Sequence, residues 1–336
     1  MSATGYRRHI RTRILKAVRS AIRPGLVTTW WMVRLTVVVS LAVSILQYVG
    51  VIALLARWLN PLFNIVGLPG EAALAFISGY FVSIYSAVAT AITLNMDIRA
   101  INILAVMCLC AHNIIIETAV QKQTGSSALR MILLRTISAL VSALVLHLLL
   151  PAGNETSTYA VQQATAMPPL KEFALHQMKV TGWLTLRMFV LIMSLNILQK
   201  LLAEFGVIRL LSKLLRPVLK IFGLPAKTSF LWIVANILGL AYGAAVMMEE
   251  VQQNKINKKD ADLLNHHIAI SHSNLEDVSL FLSIGAGLWW MLLPRWILAA
   301  IVVWLRRWEL RIRHTDDNPT HLCRTSKIKI RQPVKE

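Results

Sequence analysis

The chain has 336 residues, 56% of them apolar and 15% charged, with 35 Lys+Arg against 16 Asp+Glu for a net charge of +19. Mean hydropathy is +0.59, whereas soluble domains carry roughly 45–50% apolar and about 25% charged residues. The excess sits in long runs, which excludes disordered, collagenous and disulfide-rich secreted classes. Three cysteines, two of them (Cys108, Cys110) inside an apolar run, offer neither a disulfide framework nor a CxxC zinc spacing.

In chain order, residues 1–27 form a basic tail. Between Tyr6 and Pro24 it carries seven basic residues and no acid, and Ile10, Ile14, Val18 and Ile22 recur at i, i+4. That pattern predicts an amphipathic helix lying in the membrane interface; the length of the charged region argues against a cleaved signal peptide. Eight apolar stretches follow at 29–58, 72–95, 100–120, 130–150, 182–206, 228–248, 262–284 and 287–305. Each approaches the roughly 20 residues needed to cross about 30 Å of hydrocarbon. Residues 151–181, with Pro168-Pro169, read as an external linker, and residues 309–336 as a basic, flexible cytoplasmic tail.

The chain repeats itself. Residues 50–69 align without gaps on 206–225 with eleven of twenty positions identical, among them Gly50/Gly206, Pro61/Pro217 and Gly67/Gly223. Upstream, Trp30 and Arg34 match Trp183 and Arg187. Downstream, after a four-residue insertion, His112 falls on His272, Glu117 on Asp277 and Gly125 on Gly285. Accidental agreement of Leu-rich helices does not explain matched Pro, Gly, Trp, Arg and His. The expected units are therefore 28–150 and 182–308, of four apolar segments each.

Charge decides their relative orientation. If all eight segments span, nine Lys+Arg lie outside and 22 inside; if 72–95 and 228–248 are re-entrant, 27 lie inside and only Arg57, Arg99, Lys171 and Lys179 outside. The positive-inside rule prefers the second arrangement. It gives three crossings per unit, hence inverted repeats, with both termini cytoplasmic. The two re-entrant segments are Gly-interrupted at Gly79 and at Gly239 and Gly243. Paired discontinuous helices of this kind point to a midplane site in secondary transporters; ordinary tilted spans with packing glycines are the alternative.

Polar residues inside spans are functional candidates, because insertion of an ionisable group costs about 2.5 kcal/mol or more. Segment 262–284 is the most polar. On a continuous helix Asn265, His272 and Glu276 share one face, and His266, Ser273 and Asp277 an adjacent one. Its repeat partner carries His112, Asn113 and Glu117, so that Asn113 to Glu117 and Ser273 to Asp277 are both i, i+4 with a His just before each. An inverted two-fold brings the two sets to one site. Three readings stay open for them. His112, Glu117, His272 and Asp277 suit a first-row divalent metal, a proton relay for an organic solute, or interhelical hydrogen bonding worth about 0.6 kcal/mol per pair. Asn236 and Tyr242, in the second broken segment, are candidates for lining the cavity, with Ser273, Asn274 and Glu276 completing the set. Glu249-Glu250 and the nearby lysines read as a solvated loop, and the tryptophans of the last segment as an aromatic belt.

Leu215-Arg216-Pro217 with Gly223-Leu224-Pro225, then Ala235-Asn236-Ile237-Leu238-Gly239-Leu240 and Met247-Met248-Glu249-Glu250-Val251-Gln252, resemble the nucleoside-recognition, or Gate-domain, family of membrane proteins. The pattern is nearest the spore maturation A and B proteins. More distantly it is grouped with the membrane portion of ferrous-iron transporters and with concentrative nucleoside transporters. The resemblance covers roughly 50–125 and 205–290. It departs after Gly239-Leu240, where spore maturation proteins continue Gly-Asn-Ala-Ala-Thr-Pro and this chain has Ala241-Tyr242-Gly243-Ala244-Ala245-Val246. It departs again at Ile270-Ser271-His272-Ser273-Asn274, where they carry Asn-Thr-Ser-Ser. The resemblance implies a Gate-type all-α fold and transport, and no nucleoside is carried over with it.

No HExxH, GxSxG or Gly-rich phosphate loop is present, and the basic tail lacks interleaved aromatics. The expectation is thus a non-enzymatic, multi-pass protein of the bacterial cytoplasmic membrane, without cofactor or nucleic acid, that moves a small solute or ion. Its partners are the bilayer, that solute and, admissibly, a second copy of the chain. A non-transporting scaffold or partner subunit of spore-maturation type is the alternative, and a divalent-metal transporter the second alternative.

Overall fold

The computed structural model of the chain describes residues 3–94, 96–151 and 169–316, all helix and connection. Helix α1 (Ala3–Tyr48) is 46 residues long, roughly 69 Å at 1.5 Å per residue. The basic segment expected to lie as a separate interfacial helix therefore continues the axis of the first span. Gly50, in the left-handed region (φ 81), turns the chain into α2 (Val51–Asn64). Next come α3 (Ala72–Phe81), α4 (Ile84–Thr93), α5 (Ile98–Cys110), α6 (Ile114–Gln123) and α7 (Ala128–Leu149). The second half holds α8 (Leu170–Glu204), α9 (Val207–Leu214) and α10 (Arg216–Ile221), preceded by Gly206 at φ 69. A short 3-10 turn (Ala226–Thr228) leads to α11 (Ser229–Ile237), α12 (Leu240–Gln252), α13 (Lys258–Ser271), α14 (Glu276–Leu282) and α15 (Leu288–Asp316). Helix α8 starts inside the region read as linker, whose residues 152–168 lie outside the described ones. The tail from 317 does so too. Four helical stretches among the described residues, 98–123, 128–149, 170–204 and 288–312, are long and apolar enough to cross a bilayer.

Contacts at the helix ends sort the chain to two ends of a bundle. Helices α1 and α8 are antiparallel neighbours. Arg13 pairs with Glu204 at 2.9 Å, Ser40 with Thr181 at 3.0 Å, and the Tyr48 and Phe173 rings lie 5.2 Å apart. At the Tyr48 end, Arg99 donates to Gly67 O and Pro151 O, both at 3.2 Å. At the Arg13 end, Arg130 forms a two-bond pair with Glu309 at 2.7 and 3.0 Å. Arg307 donates there to Gly223 O at 2.8 Å, and Arg306 to Asp262 at 2.7 Å.

Segments 72–95 and 228–248 are both helical hairpins rather than straight helices. Helix α3 turns at Val82–Ser83 into α4, with Ser83 extended (φ −171) and capping the new helix from its side chain to Ser86 N–H at 3.2 Å. Helix α11 turns at Leu238–Gly239 into α12, with Gly239 at φ 90. Ten residues span about 15 Å, half of the hydrocarbon thickness. Gly79 does not interrupt its helix, contrary to the sequence reading. It lets the arms meet, for a Cβ there would lie 2.8 Å from Ala87 Cβ, and one on Gly243 would lie 2.8 Å from Ala235 Cβ.

A second correction concerns segments 100–120 and 262–284. Neither is one helix: α5 ends at Cys110 and α6 begins at Ile114, while α13 ends at Ser271 and α14 begins at Glu276. The face on which Asn265, His272 and Glu276 were expected together is therefore broken. Asn265 instead donates to Thr124 at 2.8 Å and Ser126 at 3.0 Å, in the turn before α7.

Candidate functional site

Breaking a helix inside an apolar bundle strands carbonyls and N–H groups, each costing several kcal/mol in hydrocarbon unless the protein satisfies it. Both breaks use the same solution. Asn113 and Ser273 sit in the left-handed region, at φ 46 and 52, where non-glycine residues are uncommon. The Asn113 N–H reaches across to Gly79 O of the first hairpin at 2.9 Å, and the Ser273 N–H to Ala235 O of the second at 3.1 Å. Each then starts the next helix, accepting from Glu117 N–H and Asp277 N–H, both at 3.1 Å.

Two arginines satisfy the carbonyls, and sequence reasoning missed both. Arg135 in α7 donates to Cys110 O at 3.0 Å and His112 O at 2.7 Å. Arg295 in α15 donates to Ile270 O and His272 O, both at 2.8 Å, and to Asn274 Oδ1 at 3.1 Å. Both are fully buried. The signal was available, because they lie 160 positions apart, as do His112 and His272 or Glu117 and Asp277.

The four residues predicted as a convergent set do meet. His112 Nε2 lies 3.0 Å from Glu117 Oε1 and 3.2 Å from Asp277 Oδ2. His272 Nε2 lies 3.1 Å from Glu117 Oε2, and the imidazole centroids are 5.1 Å apart. Arg135 Nη2 holds Glu117 Oε2 at 2.5 Å. The pairing is reciprocal: the His of each half faces the carboxylate of the other, in addition to the His112–Glu117 contact. Each imidazole is aimed from behind. His112 Nδ1 donates to Cys108 O at 2.8 Å and His272 Nδ1 to Ile268 O at 2.7 Å.

The remaining candidates form a flank. Asn236 Nδ2 donates to Trp232 O at 2.8 Å, its Oδ1 accepts from Asn274 Nδ2 at 2.6 Å, and Arg295 joins Asn274 to the His272 carbonyl. Glu276 turns away to accept from the Tyr85 hydroxyl of α4 at 2.5 Å. The Tyr242 side chain lies outside the described residues. A cavity of about 530 Å³ opens between α7 and α15 beside His266, Arg130 and Glu309, but none of its lining residues belongs to the histidine pair.

An all-helical bundle with apolar spans, paired hairpins and a buried cluster of His, Glu, Asp and Arg defines an integral membrane protein of discontinuous-helix type. Residues 29–154 match the family model described as "Gate: Nucleoside recognition". The chain is also 30% identical over 282 residues to the uncharacterized membrane protein YvoD of Bacillus subtilis (strain 168), covering 83% of this chain and 90% of that protein. It therefore belongs to the Gate-domain family of membrane proteins. No solved structure matches it.

Proposed function

We propose that the chain is a secondary transporter in the bacterial cytoplasmic membrane, built from two inverted Gate-type repeats that carry a small solute or ion through a site between them. The observation that carries this reading is the reciprocal pairing of His112 with Asp277 and of His272 with Glu117 at the breaks of two helices. A residue i meeting j while the matching j meets i is the signature of a two-fold relation. The matched helices α1 and α8 run antiparallel, which supports an inverted rather than a parallel relation. Hairpins and unwound helices at matching positions are the arrangement in which transporters bind their cargo. The charge asymmetry favours both termini and the 209–227 loop in the cytoplasm, with 151–181 outside.

Two labelling experiments test it, in a background lacking the three native cysteines. Single cysteines at Thr158 and Lys220 are exposed to an impermeant thiol reagent in intact cells; labelling of Thr158 alone is expected, and labelling of Lys220 instead overturns the inverted arrangement. A single cysteine at Asn236 is then treated with a small hydrophilic thiol reagent in sealed vesicles of either orientation. A carrier exposes this position to water from at least one side. Protection from both sides favours a non-transporting scaffold.

A further inference from the structure

We infer that the site where His112, Glu117, His272 and Asp277 converge is a coordination site for a divalent first-row transition-metal cation. The inference rests on the transport reading only for the consequence that this ion is cargo; the coordination chemistry stands on the site alone.

The argument begins with protons. A carbonyl oxygen only accepts, so both Nδ1 atoms must be N–H donors to Cys108 O and Ile268 O. In the neutral ring this leaves each Nε2 as a bare lone pair. Both lone pairs point at carboxylate oxygens, at 3.0 and 3.2 Å for His112 and 3.1 Å for His272. Acceptor facing acceptor is repulsive unless a proton or a metal cation stands between them, and one divalent ion supplies positive charge at a single point facing these lone pairs.

The spacing suits that ion. One ligand atom from each of His112, Glu117 and His272 lies within 4.8 Å of the others. Ligand atoms at about 2.0–2.1 Å around a tetrahedral ion are roughly 3.3–3.4 Å apart, close to the His–carboxylate separations of 3.0, 3.2 and 3.1 Å. Asp277 Oδ2 lies beside this three-residue group, 3.2 Å from His112 Nε2. Two imidazoles with a carboxylate favour Mn, Fe, Co, Ni or Zn over Mg or Ca, which prefer all-oxygen shells. The outer contacts are those a metal site needs: backbone carbonyls orient both rings, and Arg135 holds Glu117 by Oε2, so that Oε1 faces His112 at 3.0 Å and Oε2 also faces His272 at 3.1 Å.

The test uses the full chain without a histidine tag, purified in detergent and stripped with a chelator. Co2+ serves as the probe because its visible absorption reports coordination by nitrogen and oxygen. The wild type is expected to bind one Co2+ per chain, with displacement by Zn2+ and a raised melting temperature. His112→Ala, His272→Ala and Glu117→Gln should each weaken binding at least 100-fold, whereas His176→Ala, an exposed change on α8, leaves it unaltered. His272→Gln guards against misfolding, since a variant that melts cooperatively yet gains nothing from Co2+ reads the site directly. Absence of Co2+ binding by the wild type, or binding that survives all three site substitutions, overturns the inference. Movement is tested separately, with Co2+ or Zn2+ outside proteoliposomes and a metal-sensitive dye inside. Binding without movement sinks the transport reading and leaves the metal site standing. Water access at Asn236 without metal binding does the reverse.

Discussion

In the first half the helix that carries the break is apolar from Ile103 onward: Ala105, Val106 and Met107 of α5 occupy the positions where α13 has Asn265, His266 and His267. Both helices are buried along this stretch, so the difference is one of partners rather than exposure. His267 accepts from Trp232 Nε1 at 3.1 Å and Asn265 ties down the turn before α7 through Thr124, at positions where the first half has Met107 and Ala105. What both halves keep is a His at the break, a carboxylate five residues on, and an Arg 23 residues past the His. Polarity confined to one half here serves local packing, while the His and carboxylate shared by both breaks converge on one place. The broadest test follows. His272→Ala and Glu117→Gln should each abolish uptake while leaving expression normal, and the double variant should be no worse than either, since a shared site fails once any essential member is lost. Asn265→Ala, altering an unshared residue, should leave uptake intact and cost about 1–3 kcal/mol of stability through the hydrogen bonds it strands. Wild-type uptake with lowered melting temperatures in the first pair would reassign those residues to packing.

The arginines come next in expected size, and here the halves differ. Arg135 neutralises the Glu117 carboxylate as well as satisfying two carbonyls, whereas Arg295 donates to carbonyls and to the Asn274 amide. Arg135→Met therefore leaves a buried charge without its strongest partner and should destabilise by about 3–5 kcal/mol. Arg295→Met strands neutral acceptors and should cost about 1–3 kcal/mol. Thermal unfolding in detergent compares them directly; equal losses would mean that the carbonyl clamp, not the Glu117 pair, dominates.

How much of this was legible in the sequence follows the same division. The all-helical membrane architecture was readable from long apolar runs, and the meeting of the His and carboxylate side chains from residue type at matched spacing. The helix breaks at 111–113 and 272–275 were not. Nothing in Ala111-His112-Asn113 is a helix breaker; the chain unwinds because tertiary partners, Gly79 O and Arg135, take over the stranded backbone groups. Glycine was misleading in the hairpins for a related reason. Gly79 reads locally as an interruption but acts as a contact surface, while the actual turn falls at Ser83, a residue whose side chain caps the next helix.

The hairpin glycines provide a third comparison. The small residue sits on the first arm at Gly79, opposite Ala87, and on the second arm at Gly243, opposite Ala235. Gly79→Ala sets one methyl against another, with Cys108 Sγ at 3.3 Å as the next neighbour. It should cost about 1–3 kcal/mol, and Ala87→Gly in the same chain should restore most of the loss. A Cβ on Gly243 meets Ala235 Cα at 2.9 Å and its N at 3.2 Å as well as the methyl. Removing that methyl with Ala235→Gly then recovers only part of the loss. Full rescue in both hairpins would show that the second can shift its backbone as readily as the first yields a side chain.

The smallest effect is expected where α5 and α13 receive the loop of the opposite half. Asn102 Oδ1 accepts from Gly287 N–H at 2.7 Å, and Asp262 Oδ1 accepts from the Ser126 hydroxyl at 2.7 Å. The residue types differ because their surroundings do. Asp262 also holds Arg306 at 2.7 Å, while the Asn102 amide donates to Ile98 O at 2.8 Å. Exchanging an amide for a carboxylate at 102 turns that donor into an acceptor against a carbonyl and adds a charge where the other half has Arg306 and this one has Leu146. Asn102→Asp should accordingly cost about 1–3 kcal/mol. Asp262→Asn is milder. The amide oxygen keeps one of its two partners, and Arg306 retains Glu309 at 2.7 Å. A loss of about 1 kcal/mol or less is expected, in the range of partly exposed ion pairs. Melting curves of the two variants at low and high salt decide the matter. If Asp262→Asn is the more damaging and its loss is insensitive to salt, the Asp262–Arg306 pair belongs to the buried core rather than to the water-facing rim.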